Sequence, residues 1–424
     1  MGRPGVPAGR EFFATRTVAE ALAGFRPARR TAVEGVTLDD ALGRVPAEPV
    51  VSPGALPGFA RSTVDGYAVR AADTYGASDG LPSYLRVAGA VRMGAPPDVA
   101  VEAGTAVSMP TGGVIPPGAD AVVMVEYTQE TMPGVVEVTR PVAPGEGVVR
   151  ADEDAAAGAE ILPAGRPLRA QDLGLLAAAG VTSVAVHARP VVAILSTGDE
   201  VVPPGTPGLR PGEVRDATAP ALAGLVRRAG GEPRYAGIVP DDAGALEAAL
   251  RTALARSDLV VVSAGSSVGA RDETAVAVGA LGEPGIWCHG LAVRPGKPTL
   301  LAECGGVPVV GLPGNPLSAL VVFRLVGVPL VWRLAGATAP PPEPTVRARL
   351  ARDVASAAGR LDVVQARLDP APPGAAGAAL PAAHPVFGPS ALLSVLTTAD
   401  GCLTVPDEAT GLAAGTEVEV TLYR

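Results

Sequence analysis

The sequence predicts an α/β protein of several domains, organised around a mostly parallel sheet with helices on both faces. Three apolar runs, at residues 191–195, 259–262 and 307–312, are continuous rather than alternating, which is typical of strands buried on both faces. Helical patterns separate these runs, and strands that alternate with helices form parallel sheets. The chain has 424 residues, 48% of them hydrophobic and 18% charged, which is enough for about two to four packed domains.

The remaining elements are predicted from apolar spacing and from the residues that begin and end each run. Asp216 or Thr218 can cap a helix that runs to about residue 229, and Asp241-Asp242 can cap the next one, from 243 to 256. Further helices are expected at 17–25, 37–42 and 171–179, and from about 317. Strands are expected at 84–87, 121–125 and 135–139, and then at 345–350, 363–368, 402–405 and 417–422. The Pro-rich segment 335–344 is interpreted as a linker and the low-complexity stretch 370–385 as a loop.

These patterns divide the chain into predicted domains. A small β domain at 53–140 is expected to be inserted into a segment formed by 11–52 and 141–188. The parallel-sheet domain is expected at 189–338, and a small C-terminal β domain at 339–424.

Composition and charge argue against several functions. The net charge is -9 and the pI about 5.1, whereas general nucleic-acid binding needs a basic surface. The three cysteines and three histidines lack the paired spacing of a zinc site. Cys288 and His289 are adjacent, and adjacent strand residues point to opposite faces, so a buried thiol beside a surface imidazole is expected. No signal peptide is recognised, and the apolar run 317–332 is interpreted as too short to span a bilayer, so we expect a soluble, cytoplasmic protein.

Residues 294–318 carry the strongest functional signal. Lys297 is the only lysine in the chain and Asn315 is the only asparagine. Both lie between prolines and glycines, and rigid turns of this kind bring backbone N–H groups and side chains close to a ligand. Two ordinary turns would have the same composition, but the pattern favours a binding site for an anion such as phosphate.

Polar, glycine-rich loops follow all three of the apolar strands. These loops are Ser196-Thr197-Gly198-Asp199-Glu200, residues 263–269 (SAGSSVG) and Pro313-Gly314-Asn315-Pro316. The ligand of an open α/β sheet lies beyond the carboxyl ends of its strands, so one pocket should be lined by all three loops. A separate charged cluster, from Arg150 to Asp154, is either a solvated loop or an aid in holding a cation.

Seven motifs along the chain together resemble one family. They are STVDGYA (62–68), the Pro110-Thr111-Gly112 segment with Gly118-Ala119-Asp120, STGDE (196–200), Asp241-Asp242, SAGSSVGARD (263–272), RPGKP (294–298) and LPGNPLS (312–318). In this order they resemble the molybdopterin molybdotransferases of MoeA type, a family that includes the gephyrin E domain. The resemblance runs from about residue 12 to the C-terminus.

The resemblance implies a fold, a reaction and an assembly. It implies four domains, of which the segment 11–52 and 141–188 would be a discontinuous helical domain and 53–140 the inserted β domain. The parallel-sheet domain would be a three-layer αβα molybdopterin-binding domain, and the C-terminal domain would resemble a β-barrel. The reaction would insert molybdate into adenylylated molybdopterin, with loss of AMP and the help of Mg²⁺. The enzyme would be a homodimer acting on these small molecules, with no nucleic-acid or membrane partner. Its site would lie between the αβα domain of one chain and the inserted domain of the other.

Carried onto this sequence, the resemblance also implies which residues act. The catalytic residues would be Asp65, Thr111, Asp154, Glu200, Asp242, Asp272 and Lys297. The residues that bind the pterin substrate or molybdate would be Ser196, Thr197, Gly198, Ser263, Gly265, Ser267, Gly269, Arg294, Lys297, Pro313, Gly314, Asn315, Pro316 and Ser390. Glu200, Asp242 and Asp272 would hold Mg²⁺, because carboxylates suit this cation.

A few positions depart from the family pattern and leave alternatives open. Ala264 and Ser266 replace a glycine and an aliphatic residue, and Arg294 stands where a lysine is common. One alternative is a scaffold or cofactor carrier that uses the same fold to bind protein partners, as the gephyrin E domain does. Another is a nucleotide- or pterin-handling hydrolase that shares only the αβα domain, although the STVDGYA motif argues against it.

Overall fold

The central part of the chain folds into a six-stranded sheet. The architecture comes from a computed structural model, which describes residues 15–263, 268–370 and 380–423, without the side chains of residues 268–272. In spatial order the strands are Glu232–Val239, Val191–Thr197, Leu259–Ser263, Val307–Leu312, Leu300–Cys304 and Pro284–His289. The first four strands run parallel, Leu300–Cys304 runs antiparallel to both of its neighbours, and Pro284–His289 again has the direction of the first four. The predicted mostly parallel sheet is therefore confirmed.

Alternate residues of the buried strands face two separate apolar cores. Val192 and Ile194 belong to one core and Ala193 and Leu195 to the other. Helices on the first face are Thr218–Arg228, Pro316–Val322 and Val328–Leu334, with Val18–Gly24 added from the start of the chain. Helices on the second face are Ala243–Leu254 and Val268–Gly279. Because these strands are buried on both faces, their sequences do not alternate between apolar and polar residues. Helices cover both faces of the sheet, which confirms the αβα class.

Helix boundaries in this domain follow the predicted caps. The Oδ1 atom of Asp216 accepts a hydrogen bond from the backbone N–H of Ala219 at 3.0 Å, at the start of Thr218–Arg228. Asp242 does the same for Ala245 at 2.7 Å, at the start of Ala243–Leu254. Each carboxylate satisfies one of the backbone donors that a helix start leaves unpaired.

Among the described residues, one helix is long enough and apolar enough to cross a membrane, judged by length and composition alone. The helix Pro316–Leu334 has 19 residues, because a π-helical turn at Phe323–Gly327 joins the α-helices Pro316–Val322 and Val328–Leu334. Its mean hydropathy is 1.8. The sequence argument that this segment is too short was therefore wrong. Sixty-seven per cent of its most apolar window is buried inside the protein, which accounts for its composition as that of a core helix.

The inserted domain is a second six-stranded sheet. Its strands, in spatial order, are Ala121–Met124, Gly66–Val69, Thr105–Met109, Ser83–Ala90, Val135–Val138 and Thr128–Met132, with 3-10 turns at Ala71–Thr74 and Val125–Tyr127. The three β-runs predicted in this region all lie in strands of this sheet. The pair Arg61–Ser62 and Val148–Val149 forms where the chain enters and leaves the domain.

The helical segment is assembled from two separated stretches of chain. Its helices are Val18–Gly24, Leu38–Ala41 and Ala170–Ala178, and its antiparallel strand pairs are Val33–Thr37 with Ser183–His187 and Val50–Val51 with Glu160–Leu162. Thr17 and Glu20 form a capping box at the first helix. All three predicted helices are present, although the second spans only four residues.

The C-terminal region closes into a five-stranded barrel. Its strands, in order around the barrel, are Leu361–Asp369, Ala382–Val386, Thr345–Leu350, Glu417–Leu422 and Gly401–Val405, and the last pairs with the first. A short helix, Ser394–Thr397, and the strand pair Val354–Ala355 with Gly411–Leu412 complete it. The two-residue strand Val293–Arg294 of the central domain adds to Leu361–Asp369 in parallel and so joins the two domains.

One loop prediction in this region was wrong. The end of the stretch assigned to a loop, at 370–385, forms the strand Ala382–Val386, which pairs with two neighbours in the barrel. Ala383 is fully buried there. Small residues fill the narrow interior of a five-stranded barrel, so this alanine-rich strand resembles a low-complexity loop in sequence. Residues 371–379 lie outside the described part of the chain.

Candidate functional site

Three of the predicted loops emerge at neighbouring positions on one edge of the central sheet. Ser196 is in register with Ser263, and Ser263 is in register with Leu312, on three adjacent parallel strands. The loops that begin after these residues therefore start side by side, as expected for one ligand site. Ser196 and Thr197 are the last residues of their strand rather than part of the loop.

The side chain of Ser196 is engaged inside the protein. Its hydroxyl donates to Asp216 Oδ2 at 2.6 Å, and the hydroxyl of Tyr235 donates to the same oxygen at 3.2 Å. Burial, together with the charge of Asp216, raises the pKa of Tyr235 to about 12, so its hydroxyl remains a donor. Ser196 and Thr197 are both buried. These contacts fix the end of the strand from which Gly198 and Glu200 project.

A large cavity lies between the central domain and the C-terminal barrel. Its volume is about 880 Å³, and it is called the interdomain cavity below. The central domain contributes residues 291–298 together with 313–315 and 317–318, and the barrel contributes residues from 354 to 365 and from 386 to 390. Six residues predicted as binding residues line it, namely Arg294, Lys297, Pro313, Gly314, Asn315 and Ser390.

Positive charge dominates the wall of the interdomain cavity. Arg294, Lys297 and Arg360 line it, and Asp362 is its one carboxylate among the described residues. Arg360 Nε donates to Asp362 Oδ1 at 2.8 Å, and Arg294 Nη1 lies 3.6 Å from Asp362 Oδ2. Asp362 therefore neutralises part of the charge of two arginines. Lys297 is exposed and has no salt bridge within the described chain, so its charge is available to a bound anion.

The turn that carries Lys297 has a fixed backbone. The Lys297 carbonyl accepts hydrogen bonds from the N–H groups of Leu291 and Thr299, both at 2.9 Å. Gly296 has a φ of 124°, and a Cβ atom there would lie 2.2 Å from Cγ2 of Val322. Only glycine fits that position without rearrangement, because a side chain would be strained and would collide with the helix Pro316–Val322.

Asn315 holds the second turn against the barrel. Its Nδ2 atom donates to the hydroxyl of Ser390 at 2.9 Å, and the backbone N–H of Leu317 donates to the carbonyl of Ser390 at 3.2 Å. Pro316 begins the helix Pro316–Val322. The unique asparagine therefore joins the two domains at the cavity, which is a structural role in addition to the predicted binding role.

Arg360 is a cavity residue that the sequence interpretation missed. It belongs to no motif, and it reaches the cavity because the barrel strand Leu361–Asp369 pairs with Val293–Arg294. The presence of Asp362 two residues later could have indicated an ion pair, but not the position of Arg360 at this site.

Carboxylates gather at the loop after Val191–Thr197. Burial, and then the charges of Glu200 and Asp199, raise the pKa of Asp241. The backbone N–H of Asp241 donates to Asp199 Oδ1 at 3.2 Å. Asp242, a predicted magnesium ligand, caps a helix through its Oδ1 atom. The charge of Glu200 acts on Asp241, the other member of the acidic pair.

The other predicted catalytic residues lie elsewhere. The carboxylate of Asp65 accepts from the backbone N–H of Thr111 at 2.8 Å, so the structure brings these two residues together in the inserted domain, and both are exposed. Asp154 is also exposed, in the charged cluster after Val148–Val149, where Glu153 accepts from the N–H of Arg150. None of these three predicted catalytic residues lines the interdomain cavity.

Four predicted site residues in or just after the second loop have no described side-chain position. Gly265 and Ser267 lie outside the described residues, as do the departures Ala264 and Ser266. Gly269 and Asp272 belong to the helix Val268–Gly279, but nothing of their side chains is described. Ser263 is the last residue of its strand and is buried.

The adjacent thiol and imidazole do not form a catalytic pair. Cys288 is buried and its Sγ atom donates to the carbonyl of Gly290 at 3.0 Å. Burial raises the pKa of this thiol, which keeps it protonated and unreactive. His289 is half-buried. Among the described residues no group of three or more His, Cys, Asp or Glu side chains could hold a metal ion.

Three family models match consecutive parts of the chain. The MoeA N-terminal region (domain I and II) matches residues 16–180, the probable molybdopterin binding domain matches 193–333, and the MoeA C-terminal region (domain IV) matches 347–423.

The chain belongs to the MoeA family.

Curated members of the MoeA family are similar over most of the chain. The Molybdopterin molybdenumtransferase 2 of Mycobacterium tuberculosis is 34% identical over 409 residues, which cover 96% of this chain and 97% of that protein. The Molybdopterin molybdenumtransferase of Nostoc sp. is 39% identical over 306 residues, covering 72% of this chain and 70% of that protein.

Solved MoeA structures have the same fold. The molybdopterin biosynthesis moeA protein of Pyrococcus horikoshii OT3 aligns with a TM-score of 0.81 at 30% identity, covering 96% of this chain and all of that one (100%). A second structure from the same species aligns with a TM-score of 0.75 at 35% identity, over 97% of this chain and 99% of that chain. The MoeA fold and the αβα molybdopterin-binding domain expected from the sequence are thereby confirmed.

Proposed function

We propose that this enzyme of molybdenum cofactor biosynthesis inserts molybdate into adenylylated molybdopterin and releases AMP. The observation that carries the proposal is the interdomain cavity, whose wall presents three cations against one carboxylate. Both substrates are anions, one through its phosphates and the other as an oxyanion. Membership of a family whose curated members are named molybdopterin molybdenumtransferases supports the same reaction.

Lys297 is assigned the main anion contact in this reaction. Its ammonium is exposed, free of salt bridges to described residues, and carried on a rigid turn. Arg294 and Arg360 already share Asp362, so their charges are partly neutralised before any ligand binds. A charged donor held in place before the reaction stabilises phosphoryl and oxyanion charge without further reorganisation.

Magnesium dependence is part of the proposal, and the ligands proposed here differ from the set predicted from the sequence. The described residues form no three-carboxylate site, and Asp242 is used as a helix cap. Magnesium is commonly held by one or two carboxylates together with substrate phosphates and water. Glu200 and Asp241 suit that role, because burial and then the charge of Glu200 raise the pKa of Asp241, and a bound cation would offset both effects. A bound cation would neutralise substrate charge there.

A homodimer would complete the site. Asp65 and Thr111 are exposed on the inserted domain, joined to each other and not to the interdomain cavity. In the proposed dimer they would face the cavity of the partner chain, as the family resemblance implies. The reaction is assigned to the cytoplasm.

The decisive experiment supplies purified protein with adenylylated molybdopterin, molybdate and Mg²⁺. AMP release is followed chromatographically, and active cofactor is detected by reconstitution of a cofactor-free molybdenum enzyme. The proposal expects both products together, and their loss when magnesium is chelated. Lys297→Ala serves as the internal control. If the wild-type protein forms neither product, the proposed reaction is wrong. The alternative of a scaffold protein would then be tested by a pull-down for protein partners.

A further inference from the structure

Among the described residues that line the interdomain cavity, Phe387 is the one aromatic. Aromatic residues make up only 3% of the chain, and this one is 54% exposed. Exposure alone would mean little, because single apolar side chains are common on protein surfaces. The place of this ring, at the wall of a cavity lined by cations, is what points to a ligand.

One face of the Phe387 ring is already covered. The guanidinium carbon of Arg352 lies 4.7 Å from the centre of the ring, which is within the range of a cation–π contact. Arg352 Nη2 also donates to the carbonyl of Pro385 at 2.5 Å, and this bond holds the guanidinium in place. Arg352 does not line the cavity, whereas Phe387 does. Because the side chain is still more than half exposed, the face opposite Arg352 is the one that a ligand in the cavity can reach.

The backbone that carries Phe387 is held on both sides. Val386, the last residue of its barrel strand, pairs with Gln365. On the other side, a Cβ atom at Gly388 would lie 2.6 Å from Cγ2 of Val395, so the segment packs closely on the helix that carries Val395. A ring on a fixed backbone loses little conformational freedom when a ligand binds, which favours affinity.

The cavity combines this ring with cations, and the combination selects a ligand that has two parts. Arg294, Lys297 and Arg360 suit an anionic group. An aromatic face suits a flat, unsaturated ring system. The cavity volume of about 880 Å³ lies in the range of sites for whole small molecules. A molecule that carries both a flat heteroaromatic ring and a phosphate therefore fits the cavity.

We propose that the face of Phe387 opposite Arg352 stacks on the flat nitrogen heterocycle of a phosphate-bearing ligand in the interdomain cavity. The heterocycle is either the pterin or the adenine of adenylylated molybdopterin, since both are flat and both are joined to phosphate. Arg352 is a positioning residue, because it touches the ring and does not line the cavity. The inference rests on the proposed function for the identity of the ligand. It adds a binding residue that lies in none of the seven sequence motifs.

The test measures dissociation constants of the full-length protein for adenylylated molybdopterin and for AMP by isothermal titration calorimetry. Phe387→Leu keeps an apolar side chain and removes the aromatic face, so binding of adenylylated molybdopterin should weaken about 2- to 10-fold. Phe387→Ala removes the whole contact and should weaken it about 5- to 150-fold. Phe387→Trp enlarges the face and should bind at least as tightly as the wild type. A parallel loss for AMP identifies adenine as the stacked ring, and unchanged AMP binding identifies the pterin.

Arg352→Met separates positioning from contact. It removes the cation behind the ring and keeps the ring itself, so binding of adenylylated molybdopterin should weaken less than in Phe387→Ala. Thermal unfolding shows whether each variant keeps its fold. Because Phe387 is largely exposed, its replacement should leave the midpoint of unfolding nearly unchanged.

Tyr84→Leu is the matched control for the loss of an exposed aromatic ring. Tyr84 is 56% exposed and does not line the cavity. It lies at the start of the strand Ser83–Ala90, which runs parallel to Thr105–Met109, whereas Thr111 follows the end of that second strand. Tyr84 is therefore at the opposite end of the inserted sheet from Thr111, and its replacement should leave both dissociation constants unchanged.

Three results would overturn the inference. In the first, Phe387→Leu and Phe387→Ala both bind adenylylated molybdopterin as tightly as the wild type. In the second, the wild type itself does not bind adenylylated molybdopterin. In the third, sedimentation velocity shows that Phe387→Leu changes the oligomeric state, which would assign the ring to a protein interface.

The inference and the proposed function can fail separately. If the wild type binds adenylylated molybdopterin through Phe387 but forms no active cofactor, the proposed function fails and the inference stands. If the wild type forms active cofactor and the Phe387 variants bind normally, the inference fails and the proposed function stands.

Discussion

Replacing Lys297 by alanine tests the proposed site most directly, because it is the only lysine of the chain. The side chain is exposed and has no salt bridge within the described residues, so we expect the free energy of unfolding to change by less than about 0.5 kcal/mol. A hydrogen bond to a charged group contributes about 1.5–3 kcal/mol. Its loss in the transition state should therefore lower kcat/KM roughly 10- to 150-fold.

The assay is AMP release at varied molybdate and adenylylated molybdopterin concentrations. Lys297→Arg keeps the charge but changes the donor geometry, so it should lose less activity than Lys297→Ala. Arg256→Ala is the matched control, since Arg256 is an exposed cation on the central domain, forms no salt bridge with the described residues and does not line the cavity. It should keep kcat/KM within twofold.

The uniqueness of Lys297 allows a second measurement on the unmodified protein. Apart from the terminal amine, its ε-amine is the only primary amine in the chain, so an acylating reagent modifies one side chain that mass spectrometry can follow. Bound substrate should slow this modification, while modification of the terminal amine should continue at the same rate. A Lys297→Ala variant with more than half of the wild-type kcat/KM, or an acylation rate unaffected by substrate, would refute the assignment.

Three further predictions concern the supports of the site and its metal. Gly296→Ala should lower the free energy of unfolding by about 2–4 kcal/mol, measured by urea denaturation, because a Cβ atom would be strained and would collide with a neighbouring helix. Asp172→Asn should destabilise the protein by about 1.5–3 kcal/mol at pH 7, measured by thermal or urea unfolding, because two arginines hydrogen-bond its buried carboxylate. Asp241→Asn should raise the magnesium concentration that gives half-maximal activity more than Asp242→Asn does, since asparagine can still cap the helix.

Each of these has a control or a contradicting result. Gly305 also has a positive φ, but nothing lies within 4 Å of the position that a Cβ atom would occupy, so Gly305→Ala should cost only about 1–2 kcal/mol. An equal cost at both glycines would contradict the collision. A larger magnesium effect in Asp242→Asn than in Asp241→Asn would restore the ligand set predicted from the sequence.

The effect of Asp172→Asn should depend on pH in one direction. Hydrogen bonds from Arg166 lead the interactions that hold the pKa of Asp172 well below its usual range in the folded protein. The stabilisation is therefore fully present above the unfolded pKa of about 3.9 and is lost as pH falls towards the folded pKa. The difference between wild type and variant should shrink below about pH 4. The exposed pair Arg150 and Glu153 is the comparison, and Glu153→Gln should change stability by less than about 1 kcal/mol.

Much of the fold was predictable because it depends on local chemistry. Continuous apolar strands, the carboxylates that cap two helices and the turns around Lys297 and Asn315 were all identified from neighbouring residues in the sequence. The strand Ala382–Val386 was not, because its pattern reflects the narrow barrel interior rather than an intrinsic β preference. The length of the helix Pro316–Leu334 was also misjudged, since it begins one residue before the apolar run 317–332 and ends two residues after it.

The candidate site was predictable in part for the same reason. Six predicted binding residues line the interdomain cavity, but only Pro313, Gly314 and Asn315 follow one of the three parallel strands. Arg294 and Lys297 precede an antiparallel strand, and Ser390 comes from the C-terminal region. The prediction that one pocket is lined by all three loops was therefore wrong for the first loop, since none of residues 196–200 lines this cavity, and most of the second loop lies outside the described residues. Two adjacent aspartates in the sequence do not show that Asp242 is the one that caps the helix, nor that the charge of Glu200 acts on Asp241. The roles of the predicted catalytic residues remain predictions.

The sequence by itself determined the family, the parallel sheet and the importance of its single lysine, since each rests on residue types and their order along the chain. Only the tertiary structure decided that Arg360 and Gln365 border the same cavity as Lys297. The physical reason is that the barrel strand Leu361–Asp369 pairs with Val293–Arg294, which brings together residues far apart in the chain. No local pattern records such a pairing, because its free energy comes from backbone hydrogen bonds and apolar burial between domains.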